Sequence, residues 1–343
     1  MNAIDLSLRT ISTLAESRKH RYDSVMNDSP VPSRRRFLKS SAAGLALAPF
    51  FSPLMSRAAE TAADGKGADG KGAPPYEFCT FTKPLQHLSY PEMAKIIAAM
   101  GFDGIEGAVR PGGHVVPGKV EEDLPKLVEA LEAESLAFTV MTSAINEVSD
   151  EQSTEKILRT AAANGVKRFR MGYYKYDLKK PIRAQLDEFR PKLKDLVALS
   201  SELGIKPIYQ NHSGKDYFGG PIWDLAEVLE DFSPDKIGVA FDIGHATVEG
   251  AKAWPLNFAA IRPYLDTVYV KEPSWKDNVL GWGPVGEGAV DKGFYKLLRE
   301  SDFKGPVSLH VEYLGHDDPA MVPTVLEAIE KDFATLKSLL LPA

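Results

Sequence analysis

The stretch Ile237-Gly238-Val239-Ala240-Phe241-Asp242-Ile243-Gly244-His245-Ala246-Thr247-Val248-Glu249-Gly250 decides the fold. A short apolar run rich in β-formers, Val239 to Phe241, stops at Asp242 and turns through Gly244 to His245. That pattern is a buried strand delivering an acid to its C-terminal end. In a parallel α/β barrel the active site is built at those ends, so Asp242 and His245 read as chemistry before packing.

Outward from this strand, the chain from Tyr76 alternates short apolar runs with amphipathic helical stretches, as βα units and a parallel sheet require. Strands are expected at 78–82, 104–109, 137–143, 168–172, 207–211, 237–242, 267–271 and 307–311. Helices are expected at 90–100, 123–134, 151–164, 182–203, 222–231, 254–264, 292–300 and 323–340. Eight of each, with no gap long enough for a second domain, predict a single (β/α)8 TIM barrel over residues 76–343. A doubly wound open sheet competes, but Thr82-Lys83-Pro84 follows the first strand where a glycine-rich phosphate turn would sit.

The segment before the barrel has its own logic. Ser33-Arg34-Arg35-Arg36-Phe37-Leu38-Lys39, then an apolar run to Phe51 and a small-residue site near Ser56-Arg57-Ala58, make an export signal of the twin-arginine form. Residues 1–59 are assigned to that signal, with Met1 and Met26 both open as the start, and the expected location is periplasmic or otherwise exported. The apolar run is too short to span a membrane, so no stable span is expected after signal removal. Residues 60–75 repeat D-G-K-G-A without apolar periodicity and read as a flexible linker.

The 343 residues carry a net charge of −6, with no basic tract in the barrel region, which argues against a nucleic-acid partner. A single cysteine, Cys79, excludes an internal disulfide and a Cys-rich metal site. Assembly into a homo-oligomer stays open.

Polar residues gather at the expected strand ends. Glu106 lies in the second strand; Gln210 and His212 end the fifth; Asp242 and His245 close the sixth; Lys271 and Glu272 end the seventh; His310 and Glu312 finish the eighth. Alternation puts Gln210 with His212, and His310 with Glu312, on shared faces. Imidazoles and carboxylates converging on one rim suit a divalent ion of Mn, Zn, Co or Mg type with an open position for substrate. Singly, each has a plainer role: a capping Asp, a hydrogen-bonded His, a Lys271–Glu272 ion pair. Arg110 and Arg170 read either as anchors for a carboxylate or phosphate or as partners of rim acids. Tyr173, Tyr174, Tyr176, Tyr217, Phe218, Trp275, Trp282 and Tyr313 fall in loops after strands, where rings stack on sugar faces or anchor the loops. Gly286-Glu287-Gly288 and Gly112-Gly113-His114 read as loops over the mouth.

Residues 101–313 resemble the sugar phosphate isomerase/epimerase family, the xylose-isomerase-like barrels that include ketose 3-epimerases and inosose dehydratases. The resemblance is carried by G-F-D-G-I-E at 101–106, Q-N-H at 210–212, F-D-I-G-H at 241–245, V-K-E at 270–272, G-E-G at 286–288 and G-P-V-S-L-H-V-E-Y at 305–313. It implies a barrel with one divalent metal held by strands five to eight, acting on a sugar or polyol. The family's strand-five Glu falls on Gln210, its strand-seven His on Tyr269 and its strand-eight metal-binding Glu on His310; Asp242 is kept. Glutamine takes no proton from carbon, so a two-glutamate relay is not copied here.

The resulting expectation is an exported metal-dependent sugar isomerase or epimerase that abstracts a proton beside a carbonyl. Asp242 and His310, with His212 and Gln210, hold the metal; Glu312, His245 or Glu106 is the base; Lys271 steadies developing negative charge. Two alternatives are a lyase or dehydratase acting on a 3-keto sugar or oxidised glycoside, and a non-catalytic carbohydrate-binding barrel.

Overall fold

The computed structural model describes residues 76–341, so the signal and linker assignments lie outside the described residues. Eight parallel strands close into a barrel: β1 (Glu77–Phe81), β2 (Gly104–Ala108), β3 (Ala137–Thr142), β4 (Arg168–Arg170), β5 (Lys206–Gln210), β6 (Gly238–Asp242), β7 (Leu265–Val270) and β10 (Pro306–Leu309). Around the ring the order is β1, β10, β7, β6, β5, β4, β3, β2, so every crossover joins neighbours. Two further strands, β8 (Glu272–Lys276) and β9 (Val279–Gly283), form an antiparallel hairpin directly after β7.

Helices follow the strands: α1 (Tyr90–Ala99), α2 (Val120–Ala133), α3 (Thr154–Ala163), α4 (Ile182–Leu203), α5 (Trp223–Leu229), α6 (Ile243–Gly250), α7 (Trp254–Ile261), α8 (Lys292–Glu300) and α9 (Val322–Leu340). The expected barrel elements are all present, with ends moved by at most three residues. Local chemistry explains several ends. Ser89 and Glu92 form a capping box at the start of α1. Gly204, at φ 70°, takes the left-handed cap that ends α4. The Asp242 side chain accepts from the His245 backbone N–H and so caps α6 while still ending β6.

Two elements were not expected. The hairpin is half exposed at Trp275, Val279 and Leu280, so it lacks the buried apolar run that marks the barrel strands. The short helix α6 contains two glycines among its eight residues, which weakens any helical signal.

The main core lies between strands and helices, where Phe333 of α9 stacks on Phe102 with ring centroids 3.8 Å apart. Val140, Ile208, Ala240 and Tyr269, from four strands, form a second buried cluster that fills the barrel interior. With the interior filled, only the strand ends remain for a site.

Gly104 opens β2, two residues before Glu106. A Cβ there would sit 2.5 Å from the Ala137 carbonyl oxygen and 2.2 Å from Thr139 Oγ1. The β2–β3 spacing therefore requires glycine, and overpacking it costs about 1–3 kcal/mol. Gly104→Ala is expected to lower the unfolding free energy by that amount, read as a lower denaturant midpoint at unchanged slope; an unchanged midpoint would mean that the strand pair relaxes freely.

Candidate active site at the C-terminal mouth of the barrel

Strand ends bring the expected residues together at one mouth, around a cavity of about 160 Å³ lined by Glu106, Gln210, His212, Lys271, His310 and Glu312. Phe81, Lys83, Arg110, Arg170 and Tyr173 complete its wall. A larger cleft of about 700 Å³ opens at the other end of the strands, beside Arg168, Asp266 and Gly305. There Arg168 and Lys206 each pair with Asp266 at 2.9 Å, the kind of ion pairing that stabilises a barrel's base.

Lys271 stands at the centre of the mouth. Its Nζ is 3.3 Å from Asp242 Oδ2 and 3.6 Å from Glu312 Oε2, and the residue is 7% exposed. Burial works against its charge, but Asp242 and Glu312 outweigh burial and raise its pKa, so it is an ammonium. Asp242 is fully buried; burial pushes its pKa up, while His245, Lys271 and His310 pull it down to about 2. His245 is itself neutral at pH 7, because burial holds its pKa well below the ordinary value despite Asp242. Lys271 is thus the stronger of those two influences at neutral pH.

Gln210 links this centre to the next strand. Its Nε2 donates to Asp242 Oδ2 at 2.7 Å, while its Oε1 accepts from Tyr173 OH at 2.6 Å and Arg170 Nη1 at 3.2 Å. A glutamate here would set two carboxylates against each other at that contact. The amide removes the repulsion and adds a hydrogen bond.

Glu106 and His310 form the second centre. Glu106 accepts from Thr142 Oγ1, from Ser308 Oγ at 2.7 Å and from His310 Nε2 at 2.7 Å. Burial opposes its charge, but His310 and Arg170 outweigh that and lower its pKa. For His310, burial disfavours the cation, and the ion pair with Glu106 reverses the balance and raises its pKa to about 9. Its Nδ1 makes no hydrogen bond and lies 3.5 Å from Glu312 Oε2. Glu312 Oε1 also accepts from Lys83 Nζ at 3.1 Å. Despite burial, His310, Lys271 and Lys83 hold the Glu312 carboxyl far below its ordinary range.

The third imidazole differs. His212 Nδ1 lies 2.8 Å from the Ser213 carbonyl oxygen, an acceptor, so Nδ1 carries the hydrogen and donates it. In the neutral ring Nε2 then keeps a lone pair. Burial, and then Lys271, depress its pKa to about 4. The ring stacks on Tyr217 at 4.4 Å and lies 3.8 Å from the His245 ring, whose Nδ1 is 2.7 Å from Ser213 Oγ.

These contacts revise the expected roles. The set Asp242, His310, His212 and Gln210 does not fit a resident divalent cation. Both Asp242 oxygens accept hydrogen bonds, Gln210 turns its amide nitrogen inward, His310 Nε2 donates to Glu106, and the Lys271 ammonium already neutralises Asp242 and Glu312. Among the described residues no three His, Cys, Asp or Glu side chains are grouped to hold a metal. Of the expected bases, Glu312 is tied into ion pairs, Glu106 accepts three hydrogen bonds, and His245 is held by Ser213. His212, expected as a ligand, lines the cavity with its Nε2 making no hydrogen bond among the described residues.

Glu272 does not pair with Lys271. Its carboxylate accepts from the backbone N–H groups of Gly286 at 2.9 Å and Val290 at 2.8 Å, which anchors the Gly286-Glu287-Gly288 loop. Tyr174, Tyr176 and Phe218 pack with Phe189 in a buried aromatic cluster, so they are loop anchors and not sugar platforms. Of the eight aromatics expected at the rim, Tyr173 alone lines the cavity. Thr142, Ser308 and Ser213 went unnoticed in the sequence, because small hydroxyl residues at strand ends carry no pattern of their own.

Comparisons with known proteins agree with this architecture. Solved structures that resemble the chain include a D-psicose 3-epimerase with D-tagatose from Clostridium cellulolyticum H10, at 10% identity and TM-score 0.61, covering 77% of this chain and 99% of that one. Another is the probable 3-DHS dehydratase AsbF of Bacillus anthracis, at 15% identity and TM-score 0.60, covering 78% and 100%. A third is the IOLI protein with a binding zinc atom, at 15% identity and TM-score 0.62, covering 77% and 98%. At these identities the likeness is one of fold. No match was found among curated proteins. The family described as "Xylose isomerase-like TIM barrel" matches residues 94–338, and the chain belongs to that family.

Proposed function

We propose that this barrel is a sugar-modifying enzyme of isomerase or epimerase type, moving a proton at a carbon beside the carbonyl of a small sugar or polyol derivative. One observation carries the reading: two imidazoles on the same cavity are driven to opposite protonation states. His212 is neutral with a free Nε2, and His310 is a cation whose Nδ1 faces the Glu312 carboxylate at 3.5 Å. Environments that push two titratable groups apart mark an acid and a base.

In the proposed reaction His212 Nε2 takes the proton from the substrate carbon. The C–H electron pair becomes the carbon–carbon double bond of an enediol, and the carbonyl oxygen gains the His310 proton. Lys271 stabilises negative charge on that oxygen, the electrostatic task that the resemblance gives to a metal ion. For an isomer, protonated His212 gives its proton to the neighbouring carbon while neutral His310 takes the proton of the other enediol hydroxyl, whose oxygen becomes the new carbonyl. For an epimer, water protonates the original carbon on its other face while His310 retakes the oxygen's proton and His212 releases its own to water. His310 also supports a second reading, elimination, because a fixed acid can protonate a leaving hydroxyl as readily as a carbonyl oxygen. Product mass separates the two, since isomerisation preserves it.

The test is incorporation of solvent deuterium into candidate ketoses and aldoses. The base works above a pKa of about 4 and the acid below about 9, so exchange should plateau between those limits and fall on both sides. His212→Asn should slow exchange by about 10²–10⁴-fold with the fold intact. Binding of sugars without any exchange across a broad panel would instead favour the non-catalytic barrel.

We also propose export by the twin-arginine route, motivated by Ser33 to Lys39. Replacing Arg34 and Arg35 with lysine should leave the full-length chain in the cytoplasmic fraction. Unchanged export of the double variant would remove this part.

A further inference from the structure

We propose that Arg110 and Arg170 form a cradle for an anionic substituent, a carboxylate or phosphate, on the substrate; this rests on the mouth being the substrate site. The other charged groups at the mouth have opposite partners. Lys83 meets Glu312 at 3.1 Å, Lys271 meets Asp242 at 3.3 Å and Glu312 at 3.6 Å, and His310 meets Glu106 at 2.7 Å. Neither Arg110 nor Arg170 has a carboxylate within 4.0 Å among the described residues, although both line the cavity.

Arg170 is 4% exposed, and it spends only two N–H groups on the protein, Nε to Thr142 Oγ1 at 3.3 Å and Nη1 to Gln210 Oε1 at 3.2 Å. Three donors of its guanidinium remain. Arg110 makes no side-chain hydrogen bond among the described residues, and its Cζ lies 5.9 Å from the Phe81 ring centroid. Arg110 and Arg170 line the same cavity wall; burial and the Arg170 charge lower the Arg110 pKa, with Tyr173, Glu312 and Glu106 opposing. Counting Asp242 behind the wall, three carboxylates face five cations: Lys83, Arg110, Arg170, Lys271 and His310. The cations without a carboxylate contact among the described residues are Arg110 and Arg170; burial opposes the Arg170 charge, and Tyr173, Tyr269, Glu106 and Glu312 support it only at longer range.

Unpaired buried guanidinium groups are costly, and their forked donors match carboxylate and phosphate oxygens. A bound anion would neutralise the surplus and fill the free donors. The substrate class this selects is a sugar acid or a sugar phosphate, with the reacting carbonyl turned towards His212 and His310. At about 160 Å³ the cavity is small beside ligand pockets of roughly 300–1,000 Å³, so the ligand is a single short-chain molecule.

Calorimetric titration of the full-length chain with xylitol, xylonate and xylitol 5-phosphate tests this. Charge-assisted hydrogen bonds to one guanidinium predict that at least one anion binds about tenfold to a hundredfold tighter than the neutral polyol. The tighter of the two anions identifies the carboxylate or the phosphate. Arg110→Met, with wild-type circular dichroism and melting temperature, should abolish the preference; Arg170→Met should also do so, but it disturbs Gln210. Equal binding of all three, binding of neither anion at millimolar concentration, or a preference unchanged in Arg110→Met overturns the proposal. Deuterium exchange into neutral sugars is a separate readout. Exchange without anion preference removes the cradle alone, and anion preference without any exchange removes the reaction alone.

Discussion

A buried ammonium between two carboxylates organises the mouth of this barrel. Lys271 sits 3.3 Å from Asp242 and 3.6 Å from Glu312, out of reach of bulk water. Removing Lys271 would leave Asp242 buried without its ammonium partner, a cost of about 3–5 kcal/mol for a broken buried pair. The neighbours follow from that constraint. Gln210 is an amide where a second acid would collide with Asp242, and its oxygen is thereby turned to Arg170 and Tyr173. Glu312, held down by Lys271 and Lys83, in turn helps to keep His310 charged.

The consequence for chemistry is a site that carries its positive charge permanently. A metal ion polarises a carbonyl by binding it; an ammonium and an imidazolium do so by hydrogen bonding and field, and the imidazolium can also give up a proton. A shared barrel does not fix the chemistry at its mouth, because function resides in the residues grafted on the scaffold.

Much of the scaffold was legible in the sequence. The barrel strands are buried apolar runs bounded by turns, and the Ile182–Leu203 helix has the same limits in sequence and structure. The convergence of Glu106, Gln210, Asp242, Lys271, His310 and Glu312 followed from strand ends alone. Their roles did not. Whether Lys271 turns to Glu272 or to Asp242 depends on distances across the barrel, which no local pattern encodes. The Gln210 amide orientation depends on donors from Arg170 and Tyr173, forty and thirty-seven positions away. The choice of His212 as base required the Ser213 carbonyl to fix its tautomer. The aromatic rim misled for a related reason, since a ring in a loop is equally suited to a sugar face or to Phe189.

The most direct measurement is metal content together with activity after chelation. The account predicts that the purified protein contains no stoichiometric divalent metal, and that chelation followed by gel filtration leaves substrate-dependent deuterium exchange unchanged. One equivalent of bound Mn, Zn, Co or Mg, with exchange lost on its removal and restored by its return, would contradict the claim that Lys271 fills the electrostatic role of the ion.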